Sequence, residues 1–347
     1  MHGCEDFQID LFCYQSLENM IPSDHPLRKI RELCDQALKP ILPVLESRYS
    51  DVGKPGVPPA VLLRALLLQA LYSVRSERAL SEQIKFNYLF RWFVGLSLDE
   101  EVFAHSVFSH NRERLMGGGL AESFFGEVVR LAESRHLLCS DRLVVDGTLI
   151  KAWASMKSFK ANDGSEDDKP NFKGTKRSNE THSSRTDKDA RLYRKGAGQE
   201  SMLCHMGHLL VDGVTGIAKA CRLTRASGTA EVEEALAMAT TKMRRGQTVV
   251  GDRLYDQERF VRGVRDLGIR AHPRAKKKHS RLDGRTTRRP SYEASMKTRY
   301  IVERGFGWIK APGRMRQTMF RGTVKVGWQF ALYLTAMNLI RITTLTA

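Results

Sequence analysis

Asp146 and Asp252 each stand at the end of a short apolar run, Leu143-Val144-Val145 and Thr248-Val249-Val250-Gly251. Strand ends in α/β sheets are where ligands gather. A single aspartate in such a place is most often a turn residue leaving its strand. Two of them in one half of the chain, ahead of a strongly basic region, favour chemistry. A third carboxylate follows downstream, where Arg299, Glu303 and Lys310 stand at i, i+4 and i+11. That spacing predicts one stripe of a single helix over about 291–310, beside an apolar stripe of Val302, Phe306 and Ile309. An exposed Arg–Glu pair is ordinarily worth only about 0.2–0.5 kcal/mol. Glu303, however, is the only acidic residue from position 294 to the end of the chain, which makes a ligand role the better reading. Three oxygen donors without His or Cys suit two Mg²⁺ or Mn²⁺ ions, which share substrate phosphate oxygens. A pair of such ions about 4 Å apart activates the attacking oxygen and stabilises the leaving one in displacement at phosphorus.

The charge distribution names the substrate class. The chain has 347 residues and a formal net charge of +17. Residues 1–150 carry 16 basic and 20 acidic side chains, whereas residues 251–347 carry 22 against 7. The densest run, 270–290, could be a solvated loop, but an excess extending over almost a hundred residues favours a polyanion such as DNA. Lys276, Lys277, Lys278, Arg288 and Arg289 are expected to follow its backbone, and Arg299 and Lys310 to steady phosphates beside the third carboxylate. Six cysteines (Cys4, Cys13, Cys34, Cys139, Cys204, Cys221) form no C-x-x-C pair, which argues against a zinc ribbon or disulfide framework. Cys204, His205 and His208 fall on an expected strand, where Cys204 and His205 face opposite ways and cannot share a metal. The acidic start, MHGCEDFQID, and the interrupted apolar stretches predict a soluble cytoplasmic protein associated with the nucleoid, with no membrane partner.

Stepping along the chain, residues 1–140 read as an all-helical domain, a candidate for DNA-end binding or assembly. Prolines 58 and 59 open one helix, and others are expected at about 79–94, 105–115 and 121–137. SVFSHNRERL could be the reading helix of a helix-turn-helix, but core packing is the commoner role. Residues 141–347 read as an α/β domain: a strand to Asp146, a hairpin turning at Asp212-Gly213, a helix over 229–245, a strand to Asp252, a helix over 256–267 and a strand at 269–272. A polar insertion is expected at about 157–200, a basic one at about 274–290, and a final apolar helix over 326–342. Trp308 beside an apolar stripe reads first as core and second as a platform for a flipped base.

Three stretches, VVDGTLIKAWAS around Asp146, GDRLYDQERF around Asp252 and RYIVERGFGWIK from Arg299 to Lys310, resemble the DDE transposases of bacterial insertion sequences, most closely the insertion-sequence-five family with its R-x3-E-x6-K spacing. GKPGVPPAVLLRALLLQALYSV, RSNETHSSRTDKDARLYRKG and GTVKVGWQFALYLTAMNLIR are similar to that family as well. The resemblance implies an RNase H-like catalytic domain with a mixed sheet flanked by helices, and Asp146, Asp252 and Glu303 as catalytic metal ligands. It also implies DNA cut at terminal inverted repeats and joined to target DNA, and a homo-oligomeric assembly. The chain departs from the family pattern at Arg253-Leu254, where Lys-Gly is common, at Arg304, where a second acid is common, and at Met296, where Tyr is common. A nuclease or resolvase on the same fold, or a DNA-binding remnant that represses, are the rival readings.

Overall fold

The structure, a computed structural model, describes residues 16–49, 56–138, 140–162, 177–196 and 198–346. Among them the helices before the first strand are α1 (Leu17–Met20), α2 (Pro26–Leu38), α3 (Leu42–Glu46), α4 (Pro59–Leu71), α5 (Glu77–Phe86), α6 (Tyr88–Val94), α7 (Ser106–Met116) and α8 (Leu120–Ser134). Proline opens α2 and α4 in the first turn, where its missing N–H is no loss. The stretch expected as one helix over 79–94 is two. Asn87 is extended and caps α6, its Oδ1 accepting from the backbone N–H groups of Leu89 and Phe90. The candidate reading helix, α7, buries Phe108, Asn111, Leu115 and Met116 and serves as core.

The α/β part contains β1 (Arg142–Lys151), β2 (Phe159–Ala161), β3 (His182–Ser184), β4 (Arg191–Tyr193), β5 (Met202–Asp212), β6 (Ala218–Arg225), α9 (Ala230–Lys242), β7 (Thr248–Gly251), α10 (Glu258–Asp266) and β8 (Arg270–Pro273). β5 is antiparallel to β1 and β6, and β7 and β8 run parallel to β1, so the main sheet reads β6-β5-β1-β7-β8. This is the mixed sheet flanked by helices expected of an RNase H-like domain. Its faces separate by strand parity. Leu143, Val145 and Leu210 pack with Val232 and Ala235 of α9 and Phe260 and Val264 of α10. Val144, Leu209 and Val250 join a second, larger core.

The polar insertion expected at about 157–200 as a long exposed segment is folded in its described parts. β2 pairs with β3, β4 pairs with β5, and Phe159, His182, Asp187 and Ala190 are buried. The polar composition misled because the polar groups are partnered inside. Asp187 Oδ2 lies 3.0 Å from Nε2 of buried His205, and its Oδ1 accepts from Gly322 N–H. Residues 163–176 lie outside the described residues.

The remaining helices are α11 (Gly284–Thr287), α12 (Pro290–Thr298), α13 (Ile301–Lys310) and α14 (Thr323–Leu345). The single helix expected over 291–310 is therefore broken at Arg299–Tyr300. Tyr300 has ψ −7°, far from the helical value of about −42°, which interrupts the hydrogen-bond ladder. α14 is apolar all round and packs on α2, α4, α8 and β6, so the N-terminal helices and one face of the sheet share a core running from Leu27 through Phe124 to Phe306. No helix among the described residues is long and apolar enough to cross a membrane.

Candidate active site

The parallel register sets the first two carboxylates side by side. Val144 pairs with Val250, and each is followed two residues later by an aspartate, Asp146 or Asp252. Residues two apart share a face, and neighbouring strands lie about 4.8 Å apart. Asp146 Oδ1 accepts from Gly147 N–H at 2.8 Å, and Asp252 Oδ1 accepts from Leu254 N–H at 2.7 Å as the cap of the following turn. Burial, reinforced by the charge of Asp252, raises the Asp146 carboxyl above its ordinary range; Lys195, Gly147 N–H and Arg299 oppose that rise.

β7 pairs with β1 only as far as Val144, which leaves a notch in the sheet beyond it. A carboxylate that sequence reading missed lies over β1 at this point. Glu231, in the first turn of α9, is buried at 7% exposure and lies flush over Gly147. A Cβ at Gly147 would fall 2.6 Å from Glu231 Oε1, so only glycine admits this packing. Burial pushes the Glu231 carboxyl up to about 7, with Lys195 opposing and Asp146 and Asp252 adding to the rise. Lys195 Nζ donates to Gly147 O at 2.8 Å and stands 4.0 Å from Glu231 Oε1. The hydroxyl of buried Tyr255 has no hydrogen-bond partner among the described residues, and burial beside Glu231, Asp146 and Asp252 pushes it up. In the sequence Glu231 looked like one of three acids complementing a helix dipole; a glycine directly after the strand's aspartate was the available clue.

α13 covers the face that carries Asp146. Gly305 lets it approach closely, since a Cβ there would meet Leu209 Cδ1 at 3.3 Å, and Leu209 is the β5 partner of Asp146. Val302, Phe306 and Ile309 are buried as expected, and Trp308 packs against the same core. Glu303 is exposed and has no hydrogen-bond or ion-pair partner among the described residues. Arg299 falls in the break, its guanidinium 4.2 Å over the Tyr300 ring, so it does not share a continuous helix with Glu303. Lys310 is half-buried, and burial lowers its ammonium, helped by the charges of Lys195 and Arg316. The charges of Asp252, Lys195 and Arg299 act on Asp146, those of Asp146, Asp252 and Lys195 on Glu231, and those of Lys195 and Asp146 on Lys310. Among the described residues no three His, Cys, Asp or Glu side chains are close enough to hold a metal ion. The donor chemistry of the strand-end pair nonetheless fits a hard divalent ion, because burial and the charge of Asp252 make Asp146 costly to ionise and a cation beside it relieves that cost.

Lys276, Lys277, Lys278, Arg288 and Arg289 are all exposed on the segment between β8 and α12. Asp256 is buried and accepts from the N–H groups of Lys276 and Arg281, anchoring that basic segment beside the helix after β7. Cys204 and His205 are buried, and His208 Nε2 lies 2.8 Å from Thr224 Oγ1.

The two aspartates thus follow adjacent parallel strands of the sheet, and the charges of Lys195 and Arg299 act on the first of them. Residues 138–339 match the family model described as transposase DDE domain, and residues 15–114 match one described as transposase domain (DUF772). The chain belongs to the DDE transposase family and is, in class, a DNA transposase. Among solved structures it is similar to a piggyBac transposase synaptic complex with hairpin DNA, at TM-score 0.43 and 7% identity over 92% of this chain and 76% of that one. It is also similar to a Mos1 transposase paired-end complex with left transposon end, at TM-score 0.21 and 11% identity over 77% of this chain and 82% of that one. Among curated proteins nothing matches.

Proposed function

We propose that the protein cleaves DNA at the terminal inverted repeats of an insertion sequence and transfers the freed end into target DNA, with Asp146, Asp252 and Glu303 as its catalytic carboxylates. The observation that supports this is the register of β1 and β7, whose last pair, Val144 with Val250, stands two residues before Asp146 and Asp252, with the charges of Asp252, Lys195 and Arg299 all acting on Asp146. When bound to those carboxylates, two divalent ions, Mg²⁺ or Mn²⁺, would supply Lewis-acid activation at phosphorus. The chain's own contribution is positioning. The backbone N–H groups of Gly147 and Leu254 hold the aspartates with one oxygen each free. The exposed Glu303 side chain leads α13, directly after the break at Tyr300, and the proposal requires it to lean over the pair. Arg299 and Lys310 would take phosphate oxygens, and the exposed Lys276–Lys278 and Arg288–Arg289 clusters would follow the backbone without sequence choice. The R-x3-E-x6-K spacing supports placement in the insertion-sequence-five family, and a homo-oligomer holding two ends is part of the same reading.

The test uses full-length protein and DNA carrying the element's ends. Asp146→Asn, Asp252→Asn and Glu303→Gln are each expected to abolish Mg²⁺-dependent cleavage while leaving the electrophoretic shift intact. Cleavage retained by any one of them removes that residue from the assignment. A joined product separates a transposase from a nuclease, and a shift with no product from the wild type would mark a binding remnant.

A further inference from the structure

Three groups converge on the single residue Gly147. Asp146 accepts from its N–H, Lys195 donates to its carbonyl, and Glu231 lies where its side chain would be. Glu231 reaches it from the α9 face, whereas Glu303 stands on α13 against the other face. The ammonium of Lys195 therefore sits on the carbonyl of the residue after Asp146 and 4.0 Å from Glu231 Oε1, and its charge acts on both carboxyls.

Its geometry is that of a lodger rather than a fixture. The Lys195 side chain is 45% exposed, and its hydrogen bond is to a carbonyl. Its separation from Glu231, 4.0 Å, is the outer limit of an ion pair. A lysine is a compact, hydrated charge on a flexible stem and is easily redirected. Glu231 has no such freedom, because its side chain is buried and wedged over a glycine.

Resting on the transposase reading, we propose that Lys195 is a place-holding cation: its ammonium occupies the space beside Asp146 and Glu231 that a divalent ion takes, and Glu231 is a carboxylate of the loaded pocket. Ion binding then releases Lys195 towards the substrate backbone, which couples filling of the pocket to an added positive charge on the DNA face. Lys195 in this role is a positioning residue.

Mn²⁺ binding to the full-length protein without DNA, followed by electron paramagnetic resonance, tests this apart from activity. Lys195→Met is expected to bind Mn²⁺ roughly five- to tenfold more tightly, because the competing charge is gone. Lys195→Arg is expected to stay near the wild type. Glu231→Gln is expected to bind about tenfold or more weakly. Asp146→Asn serves as the reference that must lose binding. If Asp146→Asn loses binding while Lys195→Met and Glu231→Gln match the wild type, the place-holder is overturned and the transposase reading stands. If Asp146→Asn also binds normally, both fall. Tightening in Lys195→Met with no change in Glu231→Gln removes Glu231 from the pocket. Should Lys195→Met fail to fold, Lys195→Gln takes its place with the same expected tightening.

Discussion

Glu231 and Glu303 each stand in the first turn of a helix packed on the same sheet, one on each face. Glu231 is buried over Gly147 with its carboxyl pushed up to about 7, while Glu303 is exposed. The buried acid is already paid into the fold as a cost, held where only a cation relieves it. The exposed acid costs the fold almost nothing and is free to be recruited. A site that needs several carboxylates at one point cannot bury them all without a counter-charge. In this chain Glu303 is exposed, and the ammonium of Lys195 stands 4.0 Å from the buried Glu231.

The sharpest way to break this contrast is to neutralise each acid and follow stability against pH in metal-free buffer. A carboxyl raised in the folded state from 4.5 to about 7 binds its proton more tightly than in the unfolded chain. Its contribution is therefore fully present below pH 4.5 and lost as pH rises through 7. Glu231→Gln is expected to stabilise the protein at pH 8 by on the order of 3 kcal/mol, with the gain shrinking towards zero near pH 4.5. Glu303→Gln, on an open surface, is expected to change stability by less than about 0.5 kcal/mol at either pH. Denaturant melts at the two pH values check both. Equal effects for the two glutamates would show that Glu231 is not held as described.

A second pair of variants probes the two helix–sheet approaches through their glycines. Gly147→Ala puts a methyl 2.6 Å from the Glu231 carboxylate, 2.7 Å from its Cγ and against a wedged stem, and is expected to cost about 1–3 kcal/mol. Gly305→Ala meets Leu209 Cδ1 at 3.3 Å, the tip of a side chain that can turn, and gains helix propensity in return. Its net cost is expected to stay below about 1 kcal/mol. Adding Glu231→Ala to Gly147→Ala should recover part of the loss. Strict additivity of the two changes would mean that the glycine is needed for another reason.

The sheet was legible because its signals are local: short continuous apolar runs ending in Asp146 and Asp252 report both strands. Glu231 was not, because what singles it out is a parallel pairing that stops at Val144, a fact of register between residues about a hundred positions apart. The break at Tyr300 was hidden for a different reason. The apolar stripe of Val302, Phe306 and Ile309 is the same whether or not the preceding turn is continuous with it. The folded parts of 157–200 escaped because composition cannot tell a solvated aspartate from Asp187 and Asp189, whose oxygens cap the start of α14 and, in Asp187, bind buried His205.

The smallest effect concerns how Glu303 is brought in. Gly307 lies inside α13, on its exposed side, and a Cβ there meets nothing within 4 Å. Gly307→Ala is therefore expected to stabilise the helix by about 0.5–1 kcal/mol through propensity alone. If Glu303 joins the aspartates by movement at the Tyr300 break, a stiffer helix interior carries it just as well. The thermal midpoint should then rise by about 1–3 °C while the rate of end cleavage stays within roughly twofold of the wild type. A stabilised protein whose cleavage drops tenfold would place the deformation inside α13 instead, and would make Gly307, rather than the break before it, the point about which the exposed acid turns towards the buried ones.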